Sequence, residues 1–284
     1  MSTTDDISGD PRAIVTGGLS SIGNYAVIGH PVAQSRSPEL HQAWFRAARV
    51  PGFYGKVDIA PKELIRRGPS LPFEYAGLNV TIPHKVAILG YVDRVDDTAE
   101  AAGAANVLYR DGSKAWTAGN TDGLGFVRAI EEATGEGMAG RDVVILGAGG
   151  AARAIGTAIL KDGAASVVYA NRSLKKARAI GPAVVLRPGL LDDLETSVDL
   201  LVNTLPPSVD LSKFDLAPLG DHAVVADINY YDEQPALLEK ARWRDLLAID
   251  GRGMFLWQAA LSFAAWTGVQ PDLEIGRRLL GMDD

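Results

Sequence analysis

Residues 142–154 read DVVILGAGGAARA. A run of β-branched and aliphatic residues ends in a glycine turn, and an alanine-rich helical pattern begins at once. Gly147 suits the tight turn, Gly149 leaves room for a pyrophosphate beside the backbone, and Ala152 fits where the helix packs on its strand. The pattern predicts a Rossmann-type dinucleotide site, and an ordinary strand–turn–helix is the alternative. The residues that we expect to meet the dinucleotide here are Gly147, Ala148, Gly149, Gly150 and Ala151.

The end of the next predicted strand indicates which dinucleotide binds. Residues 166–170 predict a parallel strand, and Asn171, Arg172, Ser173 and Lys176 follow it. An acidic residue at this place takes the ribose 2′-hydroxyl of NAD, whereas an arginine accommodates the 2′-phosphate of NADP. No Asp or Glu lies in residues 171–176, so we expect NADP(H) as the cofactor. The alternative is that these cations are only solvent-exposed residues at the start of a helix.

Composition narrows the class of protein. The 284 residues are 47% hydrophobic and 22% charged, which is typical of a soluble globular chain of about two domains. The net charge of −7 argues against a nucleic-acid or anionic-membrane partner. The absence of cysteine excludes disulfides and thiolate catalysis, and the four histidines form no metal-binding motif. The polar start is unlike a signal peptide, so we expect a cytoplasmic protein.

Short apolar strands alternate with helical patterns along the chain, which predicts an α/β fold with a doubly wound parallel sheet. In the first half, Ser35 and Ser37 flank a predicted helix start, with Ser37 as N-cap and Pro38 as the first helical residue. Hydroxyl and free N–H groups there suit a small carboxylate. The alternative is that Ser37 only caps the helix.

Further polar residues follow predicted strands. Asn79, Thr81 and Lys85 come at the end of a strand, where open α/β sheets place ligands. Asp122 begins a predicted helix, where a plain N-cap is the alternative role. Gln258 borders an apolar helical stripe, and a buried amide there needs either backbone partners or a polar ligand.

The ordered motifs together resemble the shikimate dehydrogenase family from about Tyr25 to the end of the chain. They are VIG (27–29) with SRSP (35–38), NVTIPHK (79–85), GAAN (103–106), GNTDG (119–123), GAGGAARA (147–154), NRS (171–173), and DGRGM (250–254) with Gln258. The resemblance implies NADPH-dependent reduction of 3-dehydroshikimate to shikimate, on the chorismate route to aromatic amino acids. It also implies an N-terminal α/β substrate domain over residues 22–122, completed by helices in 254–284, and a Rossmann NADP domain over 123–253. From their own composition, residues 1–21 are expected to form a disordered leader.

The resemblance assigns roles by position. Ser35 and Ser37 would hold the substrate carboxylate, and Gly251 would face the nicotinamide. The ring hydroxyls would be surrounded by Asn79, Thr81, Lys85, Asn106, Asp122, Tyr230 and Gln258. Reduction of a ketone needs a proton donor beside its oxygen. With no cysteine and no histidine motif, Lys85 is the expected donor, oriented by Asp122.

Some positions depart from the family pattern, and two other functions stay open. Gln34, Val107 and Leu205-Pro206-Pro207 differ from the usual residues, as does the order of residues 230–235. One alternative is a quinate/shikimate or aminoshikimate dehydrogenase, and the other is a non-catalytic NADP(H)-binding sensor. We expect small-molecule partners only, no nucleic acid, no membrane, and a monomer or homodimer.

Overall fold

The computed structural model describes residues 23–194, 197–230 and 235–282. The predicted leader at residues 1–21 lies outside this range, and so do residues 231–234 of the segment that departs from the family order. No helix in the described ranges is long and apolar enough to cross a lipid bilayer.

The first half of the chain builds a mixed six-stranded sheet in the order β2-β1-β3-β5-β6-β4. Strand β1 pairs in parallel with β2 and β3, whereas β5 runs antiparallel to both β3 and β6. Its strands are β1 (Gly23–Gly29), β2 (Gly52–Asp58), β3 (Gly77–Val80), β4 (Arg94–Val95), β5 (Val107–Arg110) and β6 (Trp116–Gly119). Its helices are α1 (Ser37–Ala47), α2 (Pro61–Arg67), α3 (Leu71–Glu74) and α4 (Asp97–Ala102).

Strand β1 is covered on both faces. Tyr25 and Val27 join one apolar cluster, and Ala26 and Ile28 join the cluster on the opposite face. This alternation is the reason for the continuous apolar run in the sequence, because successive side chains of a strand point to opposite faces.

The second half builds an all-parallel sheet in the order β12-β11-β10-β7-β8-β9, which confirms the doubly wound arrangement. Its strands are β7 (Asp142–Leu146), β8 (Ser166–Asn171), β9 (Ala183–Val185), β10 (Leu200–Asn203), β11 (Val224–Asp227) and β12 (Leu247–Ile249). The associated helices are α5 (Asp122–Thr134), α6 (Gly150–Lys161), α7 (Leu174–Arg178), α8 (Ala236–Trp243), α9 (Arg252–Thr267) and α10 (Leu273–Leu280). From the central strand β7 the chain continues to β8 and β9 on one side, and then crosses to β10 on the other side. The topological switch point therefore lies beside the glycine turn that follows β7.

Helices α5 and α9 connect the two sheets. A Cβ on Gly125 of α5 would lie 2.8 Å from the backbone nitrogen of Gln258 in α9, so only glycine allows this approach. The far end of α9 then packs on the first sheet, where the Trp266 ring lies 5.2 Å from the Tyr25 ring. The two sheets are thereby held with a cleft between their facing edges.

Candidate active site

One cleft of about 850 Å³ is lined by every residue that the sequence predicted for a site. Its walls come from the ends of strands in both sheets, the position where open α/β sheets bind ligands. From the substrate set it collects Ser35, Ser37, Asn79, Thr81, Lys85, Asn106, Asp122, Tyr230 and Gln258. From the cofactor set it collects Gly147, Ala148, Gly149, Gly150, Ala151, Asn171, Arg172, Ser173, Lys176 and Gly251.

Lys85 and Asp122 form a direct ion pair, with 2.5 Å between Nζ and Oδ2. The Asp122 side chain is only 7% exposed, whereas that of Lys85 is 21% exposed and reaches the cleft. Asp122 is the first residue of α5, yet Thr121 holds the cap position, and the Asp122 backbone N–H donates to Asn120 Oδ1 at 3.0 Å. The Asp122 carboxylate therefore does not cap the helix and is instead paired with Lys85.

Asn106 fixes the orientation of that carboxylate. Its Nδ2 donates to Asp122 Oδ1 at 2.7 Å and to Gln258 Oε1 at 3.3 Å, while its Oδ1 accepts from the Thr121 backbone N–H at 2.7 Å. Because all four groups are buried or half-buried, each hydrogen bond limits the movement of its neighbour. The network ties the first sheet to α5 and α9 at the point where Lys85 meets the cleft.

Gln258 has the backbone partner that the sequence left open, and a side-chain partner as well. Its Nε2 donates to the backbone carbonyl of Phe255 at 3.0 Å, and its Oε1 accepts from Asn106. The side chain also lines the cleft. It therefore belongs to the polar network and can also meet a ligand.

The prediction that Ser37 caps α1 is wrong. Ser37 is already the first helical residue, Arg36 holds the cap position, and no side-chain cap hydrogen bond forms. Instead the Ser37 backbone N–H donates to Ser35 Oγ at 3.3 Å, and the two hydroxyl oxygens lie 3.2 Å apart. The paired hydroxyls face the cleft beside the amino terminus of an 11-residue helix, an arrangement that suits a carboxylate.

Thr81, Asn79 and Tyr230 line the same wall. Asn79 is the last but one residue of β3, Val80 ends the strand, and Thr81 follows it. The Thr81 backbone N–H donates to the Ile28 carbonyl at 2.9 Å. Tyr230 follows β11, and its ring stacks on Phe255 at 4.5 Å. These three side chains are thus placed by the ends of β3 and β11 and by α9.

The glycine turn has the shape that a phosphate requires. Gly147 has φ of +121°, a conformation that favours glycine, and a Cβ there would lie 2.3 Å from Thr204 Oγ1. At Gly149, which holds the cap position of α6, a Cβ would meet nothing within 4 Å. The amino terminus of α6 therefore opens directly into the cleft, and its free N–H groups fit a dinucleotide pyrophosphate.

Arg172 and Lys176 provide positive charge next to this turn. Both are exposed and line the cleft, and no carboxylate of the described ranges pairs with either. Ser173 is the cap of α7 and accepts from the Lys176 backbone N–H at 3.4 Å, while Asn171 Nδ2 donates to the Ser173 carbonyl at 3.1 Å. Two cations at the end of β8 fit a 2′-phosphate.

A buried carboxylate supports the wall where the Leu205-Pro206-Pro207 segment lies. Asp227, at the end of β11, accepts from Asn203 Nδ2 and Asn229 Nδ2, both at 2.7 Å, and Asn229 also donates to the Leu205 carbonyl at 3.0 Å. Burial raises the pKa of Asp227 above its ordinary value, against the hydrogen bonds from Asn203 and Asn229 that lower it. Beside them Gly251 is enclosed, because a Cβ would lie 2.1 Å from the Ile228 carbonyl oxygen.

Sequence reasoning missed several residues of this framework. Asp227 lies at the end of β11 as Asn79 lies near the end of β3, so the same strand-end argument would have found it. Ser262 lies four residues after Gln258 in α9 and therefore shares its face, which is a signal present in the sequence. Tyr54 has no comparable signal, because a tyrosine in an apolar strand is common in any core.

Comparison with known proteins shows which family the chain resembles. Residues 27–108 match the family model described as shikimate dehydrogenase substrate binding domain, and residues 251–280 match the shikimate 5′-dehydrogenase C-terminal domain. A shikimate dehydrogenase (NADP(+)) of Bacillus subtilis is 35% identical over 268 residues, which cover 90% of this chain and 95% of that protein. The chain belongs to the shikimate dehydrogenase family.

Similar solved structures extend the likeness to three dimensions. Shikimate 5-dehydrogenase of Thermus thermophilus in complex with NADP(H) and shikimate is 30% identical with a TM-score of 0.80, covering 91% of this chain and 98% of that one. Quinate dehydrogenase of Corynebacterium glutamicum in complex with NAD is 28% identical with a TM-score of 0.79, covering 91% and 99%. The same architecture therefore occurs in a shikimate dehydrogenase solved with NADP(H) and in a quinate dehydrogenase solved with NAD.

Proposed function

We propose that this protein is an NADP-dependent shikimate dehydrogenase, which interconverts 3-dehydroshikimate and shikimate. The observation that carries the proposal is the Lys85–Asp122 pair, 2.5 Å apart, in the cleft that also contains the open amino terminus of α6. A proton-transfer pair and a phosphate cradle in one cleft are the two parts that a nicotinamide-dependent ketone reductase needs.

Lys85 gives a proton to the carbonyl oxygen during reduction and takes it back during oxidation. NADPH supplies the hydride when it is bound. Asp122, held by Asn106, keeps the ammonium group directed at the cleft. A proton donor of fixed orientation lowers the barrier because negative charge grows on the substrate oxygen as hydride arrives.

The remaining substrate contacts follow from the placement of donors and acceptors. Ser35 and Ser37 bind the carboxylate, and the ring hydroxyls lie among Asn79, Thr81, Asn106, Tyr230 and Gln258. In this proposal residues 22–122, completed by 254–284, hold the substrate, and residues 123–253 hold the cofactor.

Cofactor binding follows the same logic. Residues 147–151 at the start of α6 would hold the pyrophosphate, and Arg172 and Lys176, together with Asn171 and Ser173, would hold the 2′-phosphate. Gly251 leaves room for the nicotinamide. Arg172 is the observation that favours NADP over NAD, since an arginine accommodates a phosphate where an acidic residue would repel it.

An absorbance assay at the nicotinamide band tests the proposal. Shikimate and quinate are each offered with NADP and with NAD, and initial rates are compared. We expect shikimate with NADP to give the fastest turnover. Quinate with NAD at an equal or higher rate would favour a quinate dehydrogenase, and NADP binding without turnover of either substrate would favour a sensor.

A further inference from the structure

Tyr54 lies directly behind the predicted substrate wall. The residue belongs to β2, is 2% exposed, and does not itself line the cleft. Its hydroxyl nevertheless donates to Asn79 Oδ1 at 2.7 Å. A buried phenol with its polar end directed at a wall residue is placed to control that residue's orientation.

The hydrogen bonds of Asn79 leave only one orientation for its amide. Nδ2 donates to the Asn106 carbonyl at 3.2 Å and to Ser262 Oγ at 3.0 Å, so both amide hydrogens are used. Oδ1 accepts from Tyr54 and retains one lone pair. Asn79 can therefore accept a hydrogen bond from a ligand hydroxyl but has no hydrogen left for a ligand carboxylate.

Tyr54 keeps its proton and so remains a donor. Burial holds the pKa of its phenol well above the ordinary value, against a hydrogen bond from Ser37 that lowers it. Its ring stacks on His41 at 4.4 Å, and burial lowers the pKa of this imidazole to about 3, so it stays neutral. The imidazole that stacks on Tyr54 therefore carries no charge.

Tyr54 also connects two parts of the wall that serve different substrate groups. Its hydroxyl donates to Asn79, which belongs to the ring-hydroxyl set, and Ser37, one of the paired serines, acts on the pKa of the same hydroxyl. Resting on the function proposed above, we propose that Tyr54 is a positioning residue for the substrate. Its hydroxyl fixes Asn79 as the acceptor for a ring hydroxyl and sets the position of Asn79 relative to Ser37.

The test is Tyr54→Phe, which removes one oxygen and keeps the ring. Tyr25→Phe is the matched control, because Tyr25 packs against the same Trp266 ring and burial raises the pKa of its hydroxyl as well. We expect Tyr54→Phe to raise the KM for shikimate about three- to tenfold, the value of one neutral hydrogen bond. The KM for NADP, the kcat and the melting temperature should stay close to those of Tyr25→Phe.

A double-mutant cycle separates positioning from simple structural support. In an Asn79→Ala background, Tyr54→Phe should raise the KM for shikimate no further, since its target is gone. Equal effects of Tyr54→Phe with and without Asn79, or a lower melting temperature with an unchanged KM, would overturn the positioning role. A wild-type protein that does not oxidise shikimate would instead reject the proposed function, and the inference with it, so the two failures are distinct.

Discussion

The two sides of the cleft are built on different principles. On the substrate side, Lys85, Asp122, Asn106 and Gln258 are side chains that hold one another through hydrogen bonds of 2.5–3.3 Å. On the cofactor side, the main features are an open backbone turn at Gly149 and exposed cations such as Arg172. Side-chain networks position reacting groups, whereas open turns and unpaired cations mainly supply binding. Substitutions on the first side should therefore affect kcat, and those on the second should affect cofactor affinity.

The largest effect is expected from Lys85→Ala. Positioned proton donors contribute about 10²–10⁴-fold, so kcat should fall by that order. The KM for shikimate should change much less, because the contact strengthens mainly in the transition state. Lys161→Ala, which removes an exposed lysine at the end of α6, is the control. A normal kcat with a reduced melting temperature would make the pair a structural salt bridge.

Arg172→Asp should produce the second-largest effect, and on the other side of the cleft. Loss of a charge-assisted hydrogen bond to phosphate weakens binding by about ten- to a hundredfold. We expect the Kd for NADP, measured by fluorescence titration, to rise by that factor while the Kd for NAD changes little. Lys175→Asp makes the same charge change on α7 at a residue outside the cleft wall. Equal losses in both variants would point to general electrostatics instead of a 2′-phosphate site.

The buried His41, behind the substrate side of the cleft, should make the stability of the protein depend on pH. His41 is fully buried and its pKa is lowered to about 3 from an ordinary 6.5. Below pH 6.5 only the unfolded chain takes up this proton, so stability is lost as the pH falls, by about 1.4 kcal/mol per unit. From pH 7 to pH 5 this amounts to about 2 kcal/mol. Urea unfolding at both values should show that His41→Phe lacks this part of the pH dependence; an unchanged dependence would contradict the assignment.

The smallest effects are expected at the paired serines. Ser35→Ala and Ser37→Ala each remove one neutral hydroxyl, so each should raise the KM for shikimate about two- to tenfold. Steady-state assays should show no change in the KM for NADP, because the serines lie on the opposite wall. An analogue without the carboxylate should bind wild type and both variants equally weakly. An unchanged KM in both variants would remove the carboxylate role.

Local chemistry made the cofactor side predictable from sequence. The strand, turn and helix around Gly147 are consecutive in the chain, and each step depends on neighbours within a few residues. The alternating helices and strands likewise predicted the parallel sheet of the second half. The antiparallel placement of β5 was not predicted, because Val107 and its partner Asn79 are paired by tertiary contacts.

The substrate side depended on contacts between distant residues. Capping rules predicted Ser37 as an N-cap, yet Arg36 holds that position; for α5 they allowed Asp122 as a plain cap, and Thr121 holds that position. Asp122 is instead held by Lys85 and Asn106, which come from other parts of the chain. Motif order could name these residues, but only the fold reveals the hydrogen bonds among them and the support from Tyr54.

The central claim is that Lys85 and Asp122 act as one proton-transfer unit, and a double-mutant cycle tests it most directly. The kcat of Lys85→Ala, Asp122→Asn and the double variant is measured at saturating shikimate and NADP. Residues that act as a unit show strongly non-additive losses, so the double variant should be about as slow as the slower single variant. Losses that multiply in the double variant would show that the two residues act independently and would contradict the claim.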